Sequence, residues 1–285
     1  MDKPQIAVVV PTIRPESYKK FCNAWKEQFE RYSVSLVKVE DGDVPLVNGF
    51  SAMEVMGKYA DLIYNKNDGV RNLGFAFVAK RMPWTTHILS LDDDVEPYGD
   101  TIGDHLGGLG KKVSISWVST ASDYMRGYPY NVRGEAEVVV SHGVWHGVAD
   151  WDAPSQLVKG NPSVEFARRI IPKGALYPHC AMNFMFLRSA LPYIYQAPMF
   201  GDLNRFADIW GGIECKKDLD QLNMAVATGV SAVHHTRASN VFENIIKEAR
   251  GLKMNEEYGK DPYFKLFFRQ RDRWKKFIKL CSSQS

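Results

Sequence analysis

Apolar runs and amphipathic stretches alternate through the first 120 residues. "IAVVV" at 6–10 is unbroken by any polar residue, the pattern of a strand buried on both faces. The turn-rich "PTIRPES" follows, and Ser17 is expected to cap an amphipathic helix running through "KKFCNAWKEQF". "VSLVKVE" (34–40) predicts a second strand, "DLIYN" (61–65) a third and "HILSL" (87–91) a fourth. Between the last two, "GVRNLGFAFVAKRM" (69–82) predicts a helix; after them come a short glycine-weakened helix in "DTIGDHLGGLG" and a strand over 113–119. Strands separated by helices imply βαβ units. The expected fold is α/β, with a Rossmann-like, mostly parallel central sheet flanked by helices.

In such sheets ligands bind beyond the carboxyl ends of the strands. Four polar motifs fall there: "PTIR" after the first strand, "EDGD" after the second, "YNKND" after the third and "DDD" after the fourth. They converge on one rim. Residues 121–245 are less periodic, rich in Trp, Tyr, Pro and His, and lack a Ser/Gly linker, so 1–245 is read as one domain. Residues 246–285 form a separate basic segment. There Phe264, Phe267, Trp274, Ile278 and Cys281 recur at helical spacing, while Lys265, Arg269, Arg271, Arg273, Lys275, Lys276 and Lys279 occupy the rest. This C-terminal amphipathic helix either docks on the domain with a solvated basic face or offers a surface to a polyanion, nucleic acid or an anionic membrane.

A hydrophobic content of 45% with 24% charged residues excludes disorder, and a net charge of +3 is too small to imply a polyanion partner by itself. Cys22, Cys180, Cys215 and Cys281 show neither CxxC pairing nor a nearby His at metal spacing, which argues against a disulfide framework and a zinc site. The start of the chain does not read as a signal peptide, and no window is long enough to span a membrane. A soluble protein of a reducing compartment, the cytoplasm, is expected.

Three consecutive aspartates at the end of a buried strand require an account, because unpaired buried charge is expensive. In extended backbone Asp92 and Asp94 share a face and Asp93 points away. Two carboxylates on one face suit a hard divalent cation such as Mg²⁺ or Mn²⁺ that keeps sites for phosphate; the competing reading is a solvated acidic turn. No GxGxxG follows the first strand and no GxxxxGK[ST] occurs, so a dinucleotide fold and a P-loop are both disfavoured. A metal at the aspartates, rather than a glycine-rich loop, would then neutralise a sugar nucleotide's diphosphate.

The ordered motifs "VVPTIRP", "VEDGD", "YNKND", "RNLGF", "DDD", "RGYPYNVRG", "SHGVW", "DWDAPSQLVK", "IPKGALYPHCAMN", "RFADIWGG" and "HHTRASN" resemble the reversibly glycosylated polypeptides, the UDP-arabinopyranose mutase family, from about residue 6 to about 245. The resemblance implies a GT-A type fold, UDP-sugar binding, dependence on Mn²⁺ or Mg²⁺, and reversible transfer of sugar to an arginine of the protein itself. By position Arg126 matches the self-glycosylated residue, with Arg133 as the second arginine of that motif. Asp92 and Asp94 match the metal pair, and His235 falls where GT-A enzymes place a late metal or phosphate ligand. Arg14, Asp41, Asp43 and Arg71 match the nucleotide pocket, and Asp93 is counted with them. Ala207 replaces an acidic residue of the family pattern and leaves Asp208 alone, the segment before "RNLGF" is shortened, and little is recognisable after residue 245.

Cleavage at the anomeric carbon asks for carboxylates near an oxocarbenium-like sugar; Asp150, Asp152 and Asp208 are the candidates. In a mutase the sugar returns to UDP through a different ring oxygen. In a glycosyltransferase an external hydroxyl captures arabinose or glucose, and with a basic helix the acceptor considered is a hydroxymethylated DNA base. A non-catalytic UDP-sugar-binding partner is the third class. Trp145, Trp151 and Trp210 are sugar-stacking or core residues, His142 a diphosphate contact or a structural histidine, Cys180 a small buried hydrophobe and Asn183 a sugar reader. The sequence leaves the sugar, the acceptor and the oligomeric state open, with a homo-oligomer among the assemblies considered.

Overall fold

The computed structural model describes residues 3–115, 127, 129–160, 166–203, 205–235 and 240–283. Its strands are β1 Ile6–Thr12, β2 Ser35–Glu40, β3 Leu46–Val47, β4 Phe50–Ser51, β5 His87–Leu91, β6 Val95–Tyr98, β7 Lys112–Val113, β8 Ala136–Gly147, β9 Arg169–Ile170, β10 Asn183–Leu187 and β11 Met224–His235. Its helices are α1 Pro15–Tyr32, α2 Ala52–Met56, α3 Arg71–Arg81, α4 Thr101–Leu106, α5 Ala153–Lys159, α6 Ala207–Gln221, α7 Val241–Glu256 and α8 Pro262–Ser282.

One sheet runs β4-β3-β2-β1-β5-β10-β8-β11-β6, with β7 on β8 and β9 on β11. It is parallel across β2-β1-β5, where the strand–helix rhythm is clearest, and again between β8 and β11. β10 joins these two parts antiparallel to both. The expected α/β architecture is therefore present, with a mixed sheet that also holds antiparallel pairs at its β2-β3-β4 edge and around β10 and β11. Because β10 runs against β5 and β8, its beginning lies beside their ends. The ends of β2, β1, β5, β8 and β11 and the start of β10 consequently share one rim.

β1 buries both faces, as its unbroken apolar run requires: Ala7 and Val9 enter one core, Ile6, Val8 and Val10 the other. Phe21 and Trp25 of α1 cover the second core, and the Trp25 indole N–H donates to the Val95 carbonyl at 2.9 Å. α3, α6 and α8 cover the first. The apolar face expected of α8 is buried there through Phe264, Phe267, Trp274, Ile278 and Cys281. Each such side chain contributes about 1.5–3 kcal/mol, against about 0–1 for an exposed ion pair like Arg273–Asp61. Apolar burial, not charge, docks this helix.

Several local expectations are corrected. Residues 61–65 are not a strand: the capping box of Ser51 and Glu54 starts α2, which runs into a 3₁₀ helix over Gly57–Leu62, so Leu62 is buried from a helical turn. Ser17 is not the cap of α1. Pro15 opens the helix with its preset φ, Arg14 is the N-cap residue, and Ser17 instead donates to the Asp93 carbonyl at 3.1 Å. Of the strand over 113–119, only Lys112–Val113 is paired, and 116–119 lie outside the described residues. Residue 245 lies inside α7. Among the described residues no helix is long and apolar enough to cross a membrane.

Candidate functional site

The shared rim encloses a cavity of 1240 Å³, into which the four polar loops and the starts of α6 and α7 all contribute. Sheet order fixes its layout. Asp41 follows β2, Pro11–Arg14 close β1, Asp92–Asp94 follow β5, His179–Met182 precede β10, His142 and Trp145 lie on β8, and His235 ends β11.

Each aspartate of the triplet has a cationic partner. Asp93, 5% exposed, accepts the Thr12 hydroxyl at 2.6 Å and pairs with Arg14. Arg14 also reaches Asp94 at 3.1 Å. Asp92 pairs with Arg71, whose side chain is buried and further donates to the Ser90 hydroxyl at 3.0 Å and the Ala181 carbonyl at 3.2 Å. Burial opposes the Arg71 charge, but Asp92 and Asp68 outweigh it and hold its pKa above the usual guanidinium range. Arg71 is thus an internal counter-ion beneath the cavity floor.

Behind the triplet lies a recess of carboxylates. Burial first, then the charge of Asp208, pushes Asp68 up to about 6. Burial, then the charge of Asp150, pushes Asp208 up to about 6. Asp150 is raised by burial and accepts the Cys180 thiol at 3.0 Å. Asp208 sits at the start of α6 and accepts the Ala181 N–H at 3.1 Å. The glycines of "RFADIWGG" let α6 approach this closely. A Cβ on Gly211 would lie 2.6 Å from the Tyr195 carbonyl oxygen, and one on Gly212 2.4 Å from the His179 nitrogen.

The far wall is aromatic. The ring of His142 bonds the Tyr177 hydroxyl at 2.6 Å through Nδ1 and accepts the Cys180 N–H at 3.1 Å through Nε2. Burial holds its pKa down to about 3, so this imidazole is neutral. His235 donates from Nδ1 to the Val148 carbonyl at 2.9 Å. Arg205, at φ 63°, is held on the cavity wall by Glu248 at 2.9 Å, and Glu248 also accepts the Ala153 N–H at 2.7 Å.

Of the residues singled out in the sequence, Arg14, Asp41, Arg71, Asp92, Asp93, Asp94, His142, Trp145, Asp150, Trp151, Asp152, Cys180, Asp208 and His235 all line the cavity. Asp41 accepts the Lys66 N–H at 2.6 Å, and Asp152 caps α5 by accepting the Ser155 N–H at 2.9 Å. Asp43 is not in the lining; it is exposed and pairs with Lys66 at 2.7 Å. Arg133 is not in the lining either, its guanidinium standing 3.9 Å over the Tyr130 ring. Arg126 lies outside the described residues. Trp210 is a core residue bonded to Asn255, and Asn183 is committed to His105 at 2.9 Å beneath the sheet face, so neither reads a sugar from the cavity wall. Cys180 is more than a small hydrophobe, since its thiol is engaged by Asp150. Asp68, His179, Arg205 and Glu248 were not singled out, although Asp68 closes "YNKND", His179 lies within "IPKGALYPHCAMN" and Arg205 opens "RFADIWGG"; only Glu248 lies in none of these motifs.

Among the described residues no three acidic, His or Cys side chains converge as a complete metal shell. Asp92 and Asp94 nonetheless fit a hard cation that takes one or two carboxylates and completes its shell with water and phosphate oxygens.

The sequence model of the reversibly glycosylated polypeptides matches residues 1–271. The chain belongs to this family. It is 32% identical over 289 residues to UDP-arabinopyranose mutase 3 of Arabidopsis thaliana, covering 90% of this chain and 77% of that one. It is 31% identical over 287 residues to UDP-arabinopyranose mutase 1 of Oryza sativa subsp. japonica, covering 90% and 76%. Probable UDP-arabinopyranose mutase 1 of Pisum sativum is 31% identical over 285 residues, with the same coverage.

Proposed function

We propose that this protein is a UDP-sugar mutase that interconverts the pyranose and furanose forms of UDP-arabinose in the rim cavity. The observation that carries this reading is the carboxylate recess of Asp68, Asp208 and Asp150 beside the Asp92–Asp94 triplet. The names of the relatives support the substrate. The nucleoside lies over the β1 and β2 ends with Asp41 and Arg14, the diphosphate over β5, and the sugar over β10 and β8.

Ring interconversion needs no oxidant. The C1–O bond to the diphosphate breaks and its electron pair leaves with UDP. O4 then attacks C1 and gives up its proton, O5 leaves C1 and takes one, and the diphosphate oxygen bonds C1 again. A carboxylate pair that titrates near 6 holds a proton available for this exchange close to neutral pH. Arg14 supplies charge-assisted hydrogen bonds to the leaving diphosphate. Asp92 and Asp94 would hold Mn²⁺ or Mg²⁺, which when bound stabilises charge on the diphosphate; among the described residues His235 does not join them in a three-ligand group. Arg126 is kept as the site of reversible self-glycosylation on the resemblance alone. Four free thiols agree with a reducing, cytoplasmic setting.

The test is incubation with UDP-arabinopyranose and Mn²⁺, with and without hydroxymethylated DNA, resolving the sugar nucleotides by chromatography. UDP-arabinofuranose formed without net UDP release is the expected result. UDP release that depends on the added DNA would replace the mutase reading with a transferase. No residue of α8 lines the cavity, so nothing in the site itself favours that outcome.

A further inference from the structure

Buried polar atoms in folded proteins nearly always have partners, and leaving one unmet is costly. Among the described residues, six carry such orphaned side-chain atoms: Arg71, Ser114, Trp145, His179, Gln196 and Arg271. Three of these, Arg71, Trp145 and His179, line the rim cavity. Arg71 is accounted for, because its terminal nitrogens bind Asp92, Ser90 and Ala181. Trp145 Nε1 and His179 Nε2 have no such account.

Both sit at the same end of the cavity. His179, 3% exposed, immediately precedes the loop into β10, and its ring packs on Phe184 at 4.7 Å. Its backbone nitrogen lies close against α6 at Gly212, where a Cβ would stand 2.4 Å away. Burial drives its pKa down to about 4, so the ring is neutral. Trp145 is half-buried on β8, its ring 6.0 Å from His142, which is itself 6.4 Å from His179. An indole N–H only donates, and a neutral imidazole nitrogen donates or accepts. A hydroxyl group serves both. A phosphate does not fit this end of the cavity, because Asp150 and Asp208 line it with negative charge.

We infer that His179 and Trp145 are specificity-determining residues that read ring hydroxyls of the sugar in a UDP-sugar. This rests on the proposed UDP-sugar reading of the cavity. It goes beyond that reading by assigning the sugar's recognition to two side chains on the β10 and β8 side.

The test compares affinities for UDP and for UDP-arabinopyranose, both with Mn²⁺ and measured by titration calorimetry, in the wild type and in His179→Phe, His179→Gln and Trp145→Phe. UDP affinity is expected to hold within about twofold throughout. UDP-arabinopyranose affinity is expected to fall about tenfold in His179→Phe and about threefold or more in Trp145→Phe, with His179→Gln recovering part of the loss. An unchanged affinity ratio in both His179→Phe and Trp145→Phe overturns the inference. So does an equal loss for both ligands in the conservative Trp145→Phe. A wild type that binds UDP-arabinopyranose without converting it overturns the mutase reading and leaves this inference standing if the ratios shift. A wild type that binds UDP but not UDP-arabinopyranose overturns both.

Discussion

Arg14 donates to Asp93 and, through the same terminal nitrogen, to Asp94 at 3.1 Å. The two aspartates are not equivalent partners. Asp93 is buried and also accepts the Thr12 hydroxyl, so it anchors the arginine, while Asp94 is the carboxylate that the anchored arginine faces. Asp93→Asn is expected to lower stability by about 1–3 kcal/mol in urea denaturation, because a hydrogen-bonded buried charge pair is broken and Arg14 is only partly screened by solvent. Asp94→Asn is expected to leave stability within about 0.5 kcal/mol and to abolish conversion of UDP-arabinopyranose. Equal stability losses in the two variants would contradict this division of roles.

Stability should fall on acidification through the range where unfolded histidines titrate. His105, His142 and His179 are pushed down by burial to about 4, 3 and 4, so the native state refuses protons that the unfolded chain takes up below about 6.5. Asp68 and Asp208 work in the opposite sense. Raised to about 6, they bind protons in the native state before the unfolded chain does, which adds stability as pH falls from about 6 to 4. Asp150, also raised by burial, acts with these two aspartates. The unfolded histidines take up protons at the higher pH, so chemical denaturation should show stability falling as pH drops from about 7 to 6, with the aspartates offsetting the loss below that. Asp208→Asn should steepen that slope while adding stability at pH 7.5, and a flat profile from pH 7 to 4.5 would rule out this balance.

Gly212→Ala places a methyl group 2.4 Å from a backbone nitrogen, where no side-chain rotation relieves it. A loss of about 1–3 kcal/mol in thermal or urea unfolding is expected. A variant as stable as the wild type would mean that α6 and the segment at His179 are not closely apposed.

α8 carries two kinds of arginine. Arg271 is buried, donates to the Glu214 carbonyl at 2.6 Å and pairs with Asp218; Arg273 pairs with Asp61 at the surface. Arg271→Ala should cost about 1.5–3 kcal/mol, since the charge-assisted hydrogen bonds of a buried guanidinium are lost while Lys217 and Lys275 still pair Glu214 and Asp218, and Arg273→Ala less than about 1.

Lys265, Arg269, Lys276 and Lys279 are exposed on the same helix, away from the cavity lining. Reversing all four to Glu should leave conversion of UDP-arabinopyranose within about twofold, with folding checked by circular dichroism. A large loss would restore the basic face as a functional surface.

What was legible in the sequence was what periodicity and local charge encode. The unbroken β1, the strand ending in Asp92–Asp94 and the amphipathic α8 are all local patterns, and all three are present. "DLIYN" failed because a five-residue apolar alternation fits a helical turn as well as a strand, and the capping box upstream decided for the turn. Asp208 could be suspected from its motif, but its pairing with Asp68 could not. The two are 140 positions apart by residue number, and they meet only because Gly211 and Gly212 admit a helix that no spacing rule foretells. His179 lies within a quoted motif, but its role could not be read there: its significance is an unmet nitrogen, which exists only once the wall around it is built.

The placement of α8 has a consequence for how the protein is made. Phe264, Phe267 and Trp274 enter the same core as Val9 of β1 and Leu73 of α3, residues synthesised some two hundred positions earlier. Until that helix leaves the ribosome, the nascent chain carries the β1–α3 layer with one apolar face uncovered. Such intermediates are the kind that chaperones shield. Premature termination before residue 262 should thus yield an aggregating chain rather than a smaller enzyme.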